Sequence, residues 1–273
     1  MHLRHPLNRI DVCFTALRDA KRKAFVAYIT AGDPNLKITA QLIRAFERVG
    51  VDILELGIPF SDPLADGVVN QLAADRALKS GTTLSKALQM VAQLRRDGLK
   101  MPLVFFTYFN PIHRYGIQKF VREAACAGVD GILNLDLPPE EAESYIALME
   151  REGIHPIYLI APTTHPSRIS KIVRKARGFI YYVSREGVTG MRKGITEGLA
   201  LRIREIRRYT KIPIVVGFGI STPQQVYQVS RIADGCVVGS AIVHQIGELG
   251  KKHEAIPKIT RWVSSLIKPL HVK

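Results

Sequence analysis

Short β-branched runs alternate with amphipathic helical stretches along nearly the whole chain, and this alternation most constrains its fold. A helix at about residues 8–22 precedes the first strand, and a helical segment follows each strand. Eight consecutive strand–helix units favour an α/β fold of the (β/α)8 TIM-barrel type, forming one domain over residues 1–273. The predicted strands are Phe25–Ala31, Asp52–Pro59, Pro102–Asn110, Gly131–Leu137, Pro156–Ala161, Phe179–Ser184, Pro213–Phe218 and Cys236–Gly239.

An open, doubly wound sheet is the alternative arrangement of such units. We disfavour it because no G-x-G-x-x-G motif follows the first strand and no shift in composition marks a domain boundary. The connections after strands 2 and 6 are longer than the others and contain Ser61–Gly67 and Arg185–Gly194. Because barrel enzymes build their sites from the loops that follow the strands, these two loops are candidate lids.

The formal net charge is +15, which raises the possibility of a nucleic-acid binder. The Lys and Arg residues recur at helical spacing beside apolar positions, without a nucleic-acid motif, so solvated helix faces are the preferred interpretation. The three cysteines are far apart, and no histidine cluster has metal-ligand spacing, so neither a disulfide framework nor a metal site is expected. Without a signal-like or membrane-spanning apolar run, we predict a cytoplasmic protein.

An acidic residue interrupts the apolar run of strand 2, where an unpaired charge is costly. Alternation places Ile53, Glu55 and Gly57 on one face of that strand. If this face lines the barrel, Glu55 points into the mouth, where partial desolvation would let its carboxyl group hold a proton near neutral pH. A surface glutamate paired with a Lys or Arg from a helix is the alternative.

Two further acids, Asp62 and Asp66, lie in the Pro- and Gly-containing loop that follows strand 2. Either could simply cap a turn through its own backbone, which is the commoner use of Asp in such loops. An acid on a buried strand beside an acid on the next loop is, however, an arrangement suited to proton transfer.

Glycine turns end strands 7 and 8, at Gly217–Gly219 and at Gly239-Ser240. These are the positions at which barrels often bind phosphate, although tight turns alone could require the glycines. Thr189, in the loop after strand 6, could hydrogen-bond a carboxylate or substrate when that loop closes. Aromatic residues at or near strand positions could line a pocket for a flat ligand, or belong to the core; they include Tyr28, Phe106, Tyr108 and Tyr181.

Together these stretches resemble the alpha subunits of tryptophan synthase, in family order across nearly the whole chain. The string from Leu54 to Gly67 (Leu-Glu-Leu-Gly-Ile-Pro-Phe-Ser-Asp-Pro-Leu-Ala-Asp-Gly) carries the most specific match. The other matching stretches are Phe25–Pro34, Asp136–Pro138, Ser184–Gly190, Gly217–Ser221 and Gly239–Val243. One departure is Val68, where the family usually has proline.

The resemblance implies a (β/α)8 barrel that cleaves indole-3-glycerol phosphate to indole and glyceraldehyde 3-phosphate by a retro-aldol reaction. By match to the family motif, Glu55 is the acid at carbon 3 of the indole and the base for a side-chain hydroxyl. Asp66 accepts from the ring N–H, and Tyr181 positions the Glu55 carboxyl or the substrate. Thr189 helps close the loop after strand 6 over Asp66.

The resemblance also implies the binding residues and the partner. It places Phe106 and Tyr108 near the indole pocket, with Tyr28 a further candidate, and assigns phosphate binding to Gly190, Phe218, Gly219, Gly239 and Ser240. The partner is a pyridoxal-phosphate beta subunit, in an α2β2 heterotetramer, which docks near Asp62, Asn110 and Asp136. No cofactor is expected on this chain. A weakly catalytic activator of a beta subunit is the alternative function, and another phosphate-binding barrel enzyme is a further one.

Overall fold

The computed structural model describes residues 7–184, 193–217, 219–250, 252 and 254–270, with only the backbone described for residues 193–196. Eight parallel strands form a closed barrel in sequence order, in which β1 also pairs with β8. The fold prediction is therefore confirmed. The strands are β1 Ala24–Thr30, β2 Ile53–Gly57, β3 Leu103–Thr107, β4 Gly131–Asn134, β5 His155–Ile160, β6 Ile180–Val183, β7 Ile214–Gly217 and β8 Gly235–Val238.

Helices surround the barrel and connect its strands. In chain order they are α1 Arg9–Asp19, α2 Leu36–Arg48, α3 Val68–Lys79, α4 Leu84–Arg96, α5 Phe109–Tyr115, α6 Ile117–Ala127, α7 Glu143–Arg151, α8 Pro166–Lys175, α9 Lys193–Arg207, α10 Pro223–Ser230, α11 Ser240–Leu249 and α12 Ala255–Ile267. A 3-10 turn, Lys268–Leu270, follows α12. Within the part of the chain that the structure describes, no helix has both the length and the hydropathy needed to cross a bilayer.

The strands separate two apolar clusters. The larger one fills the layer between the strands and the outer helices, where α2 buries Leu42, Ile43 and Phe46. The smaller one fills the barrel interior and includes one inward-facing residue from each of several strands, such as Val104 and Val215. Helix α1 contributes Ile10, Phe14 and Leu17 to this interior cluster. It therefore closes the end of the barrel at which the strands begin.

Two predicted strands, the third and the fourth, run three residues past their observed carboxyl ends, and the second runs two residues past. The third ends at Thr107, because Tyr108 is already the N-cap of α5 and Pro111 fits the first turn of that helix. The fourth ends at Asn134, and the Asp136 carboxylate beyond it accepts the backbone N–H of Phe109 at 2.7 Å. The long connection after β2 holds two helices, α3 and α4, in addition to the Ser61–Gly67 loop.

Candidate active site

A cavity of about 380 Å3 lies at the end of the barrel where the strands terminate. This volume lies within the usual range of small-molecule sites, roughly 300–1,000 Å3. The sequence predicted that Tyr28, Phe106, Tyr181, Gly219, Gly239 and Ser240 would contribute to a binding site, and all six line this cavity. The remaining lining residues are Gly67, Val68, Val69, Asn70, Val183, Gly217 and Val237.

Glu55 lies in β2 with none of its side chain exposed to solvent. Both carboxyl oxygens are buried, and neither has a hydrogen-bond partner among the described residues. Burial raises the pKa of this carboxyl group to about 8, since the charged form would lose its hydration. The predicted alternative, a surface ion pair with a helix, is therefore wrong. The group instead holds a proton at neutral pH.

Tyr28 and Tyr181 lie close enough to Glu55 to feel its charge. Burial is the main cause that raises the pKa of both phenols, and the Glu55 carboxylate raises both further. In the barrel register Tyr28 of β1 is paired with Glu55. The edge of the Tyr28 ring meets Phe106, with ring centroids 5.1 Å apart. The buried acid is thus next to an aromatic wall that faces the cavity.

Two glycines make room for these tyrosines at the ends of their neighbouring strands. A β-carbon added to Gly57 would lie 2.3 Å from the Tyr28 hydroxyl oxygen, and one added to Gly217 would lie 2.0 Å from that of Tyr181. Real β-carbons do not approach other atoms so closely, so any side chain at either position would displace the phenol. The glycines therefore set the positions of both hydroxyl groups.

Asp66 lies in the loop before α3 and is half-buried. Its carboxylate accepts hydrogen bonds from the Tyr108 hydroxyl at 2.9 Å and from the Asn70 amide at 3.4 Å. The Tyr108 hydroxyl also accepts the backbone N–H of Ala65 at 2.9 Å, which fastens the loop to the end of β3. Burial raises the pKa of Asp66, and these two hydrogen bonds oppose the shift. Tyr108 therefore supports the loop acid and does not line the cavity.

The glycine turns lie at one side of the cavity. Gly219 adopts a φ of 43°, in the left-handed region that favours glycine. Gly239 is the N-cap of α11, and no side chain caps that helix. The first backbone N–H groups of α11 and its positive dipole end thus remain available to an anion beside Gly239 and Ser240.

A second helix begins at the cavity, and the sequence did not reveal it. Gly67 is the N-cap of α3, again without a side-chain cap, and Val68, Val69 and Asn70 of the first turn line the cavity. The signal was weak because α3 has no acidic residue in its first turn and only a shallow amphipathic pattern. The start of α3 at Val68 is therefore known from the structure and was not predicted from the sequence.

Comparison with known proteins gives a family. The model of the family described as tryptophan synthase alpha chain matches residues 14–266. The chain belongs to this family. The tryptophan synthase alpha chain of Opitutus terrae is 47% identical over 262 residues, 96% of this chain and 98% of that one.

Solved structures of tryptophan synthase alpha subunits have the same fold as this chain. That of tryptophan synthase subunit alpha from Legionella pneumophila superposes with a TM-score of 0.90 at 37% identity, covering 97% of this chain and 99% of that one. A chain from the tryptophan synthase α2β2 complex of the hyperthermophile Pyrococcus furiosus gives 0.83 at 38% identity, with 90% and 99% covered.

The other site residues that the sequence predicted for a tryptophan synthase alpha chain fall into two groups. Asp62, Asn110 and Asp136 are exposed and follow three neighbouring strands, β2, β3 and β4, so they share one rim of the barrel mouth. The other group lies outside the described residues and consists of Thr189, Gly190 and Phe218.

Proposed function

We propose that this tryptophan synthase alpha chain cleaves indole-3-glycerol phosphate to indole and glyceraldehyde 3-phosphate, with Glu55 and Asp66 as its two working carboxyl groups. The observation that carries the assignment is the fully buried Glu55 carboxyl, unpaired among the described residues, with a pKa of about 8. A structural carboxyl group would be expected to have an ion-pair or hydrogen-bond partner. A proton donor needs instead the held proton that this environment provides.

Glu55 starts the reaction by giving its proton to carbon 3 of the indole ring. Positive charge then develops at the ring nitrogen, whose N–H donates to the ionised Asp66. The resulting Glu55 carboxylate takes the proton of the hydroxyl on the side-chain carbon attached to the ring. The carbon–carbon bond breaks, its electron pair restores the aromatic ring, and the former hydroxyl carbon leaves as an aldehyde. Glu55 ends protonated, ready for another turnover.

The other residues hold the substrate in the orientation this chemistry needs. Tyr28 and Phe106 flank the flat indole ring, and Tyr181, whose hydroxyl group makes no hydrogen bond to Glu55, positions the substrate beside that carboxyl group. The phosphate binds in the same cavity, on the turns at Gly219 and Gly239-Ser240 and the start of α11. We also assign phosphate binding to Phe218 and Gly190 and loop closure to Thr189, all three outside the described residues.

The partner of the chain is a tryptophan synthase beta subunit in an α2β2 assembly, which receives the indole. Its docking face includes the exposed rim residues Asp62, Asn110 and Asp136. Leu64, in the same loop as Asp62, supports this assignment because 92% of its side chain is exposed. An apolar residue so placed gains free energy when a partner covers it.

The decisive test is release of indole from indole-3-glycerol phosphate, with and without a beta subunit. Glu55→Gln keeps the shape of the side chain but removes the transferable proton, so kcat should fall by roughly 1,000-fold while substrate still binds. Glu248→Gln, the same change at an exposed position of α11, is the matched control and should behave as the parent chain.

Two results would overturn the assignment. Full activity in Glu55→Gln would remove Glu55 from the chemistry. A parent chain that stimulates a beta subunit but forms no indole by itself or in the complex would instead be an activator.

A further inference from the structure

A second cleft, of about 530 Å3, lies at the opposite end of the barrel from the candidate active site. Helix α1 lines it together with the segments that lead into β1, β6, β7 and β8. Its lining is strongly cationic, with Arg18, Lys21, Arg22, Lys23, Arg207 and Lys211. We call it the basal cleft. The function proposed above makes no use of it.

Two acids also line the basal cleft, and both are occupied. The Asp234 carboxylate pairs with Arg207 at 2.9 Å and with Lys23 at 3.5 Å. The Asp11 carboxylate lies 2.7 Å from Nε2 of His155. Lys21 and Lys211, in contrast, form no ion pair within the part of the chain that the structure describes. The cleft therefore has an excess of positive charge that its own acids do not neutralise.

Lys21 adopts a backbone conformation that a residue with a side chain disfavours. Lys21 has a φ of 54° and, among the described residues, is the one non-glycine with a positive φ. Glycine is the residue that usually ends a helix in this conformation. The carboxyl ends of α1 and α9 favour nearby cations, but Arg18 and Arg207 already occupy those last turns. Lys21 and Lys211 add charge beyond what the helix ends require.

The shape of the basal cleft selects the size of the ligand. Its cations converge on a concave space within the volume range of small-molecule sites, whereas nucleic-acid surfaces usually spread cations along a groove or stripe. Apolar side chains lie between them, with Phe14 and Leu17 from α1 and Pro213 before β7. We propose that the basal cleft binds a compact polyphosphate anion, free or as the polyphosphate of a nucleotide. Such a site also explains part of the net charge of +15.

Calorimetric titration of the full chain with inorganic triphosphate, and separately with ATP, tests this proposal at about 0.15 M salt. Both should bind at one site. Tighter binding of ATP than of triphosphate would indicate contacts between its base and the apolar part of the cleft. The double variant Lys21→Gly/Lys211→Ala should weaken binding by roughly tenfold, since it removes two charge contacts of the kind that exposed pairs make. Its glycine also relieves the backbone at position 21, so the fold should be retained.

Arg122→Ala/Lys171→Ala removes the same charge from exposed positions on α6 and α8, outside the cleft, and is the matched control. It should bind triphosphate as the parent chain does. A second arm repeats the titration with excess glycerol 3-phosphate, which occupies the phosphate site of the barrel mouth and should leave basal binding unchanged. The proposal fails if neither anion binds, if the control weakens binding equally, or if glycerol 3-phosphate displaces the anion.

Discussion

Glu55 and Asp66 are carboxyl groups beside one cavity, but the molecule holds them in opposite ways. Glu55 is on a strand, wholly buried, and both of its oxygens lack partners among the described residues. Asp66 is on a loop, half-buried, and accepts hydrogen bonds from Tyr108 and Asn70. The first environment favours a neutral acid, whereas in the second the hydrogen bonds to the carboxylate oppose the rise in pKa that burial causes. Two carboxyl groups can therefore have different roles, with Glu55 as a proton donor and Asp66 as a hydrogen-bond acceptor.

The pH dependence of folding stability should give the largest difference between them. Between pH 4.5, the ordinary pKa of a glutamate, and about 8, Glu55 is protonated in the folded chain and ionised in the unfolded one. The folded state therefore binds more protons, and stability falls as pH rises through this window, by about 1.4 kcal/mol per pH unit from this residue. Glu55→Gln should flatten that slope and be more stable than the parent chain at pH 7.

Urea denaturation across the same pH range measures this slope. Asp66→Asn is the matched comparison, and its slope should change less because hydrogen bonds oppose the rise in the Asp66 pKa. An unchanged slope in Glu55→Gln would mean that Glu55 ionises normally in the folded state, and the contrast between the two acids would disappear.

The activity of Asp66→Asn should give the next largest effect. The amide keeps the size of the side chain and removes the negative charge that faces the ring nitrogen. We expect kcat to fall by roughly 100-fold, less than for Glu55→Gln, because Asp66 stabilises charge without moving the proton at carbon. Steady-state indole release with a beta subunit measures both. A larger loss in Asp66→Asn than in Glu55→Gln would reverse the roles assigned here.

Tyr108→Phe should give a smaller effect that acts through Asp66. It removes a hydrogen bond that lowers the pKa of Asp66, so that pKa should rise and the acidic limb of the kcat profile should move to higher pH. Loss of the 2.9 Å bond from Ala65 N–H also loosens the loop, and a decrease of roughly tenfold in kcat is expected. Tyr115→Phe, which removes a phenol–carboxylate hydrogen bond to Glu123 at the other end of α5, is the control. If kcat falls but the profile keeps its position, Tyr108 only orders the loop.

The sequence was sufficient for those parts of the site that follow from local pattern. Alternation along residues 53–57 placed Glu55 on the same face as Ile53, which lies in the barrel interior, and turn chemistry placed Asp66 in a loop. The order of strands and helices gave the barrel. Strand ends were less certain, because Phe109–Tyr115 continues an apolar run but forms a helix.

Features that depend on register between strands could not be read from the chain. The fit of Tyr28 over Gly57 and of Tyr181 over Gly217 requires knowing which residues of neighbouring strands are opposite each other. Likewise, the basal cleft joins residues 18–23 to residues 207–213, which only barrel closure brings together. In the sequence these cations looked like ordinary solvated helix faces.

The smallest expected effect comes from Val68, where the family usually has proline. Val68 is the first residue of α3, its side chain is 69% exposed, and Gly67 before it has φ −72° and ψ 161°, which proline permits in its predecessor. Val68→Pro should therefore raise the free energy of unfolding by about 0.5 kcal/mol, by restricting the unfolded chain. Leu72→Pro, one turn later on the same helix, is the control and should destabilise by about 3 kcal/mol. Because Tyr108 already holds Asp66, kcat should not change in Val68→Pro, and a higher kcat would show that the order of this loop limits the second carboxylate.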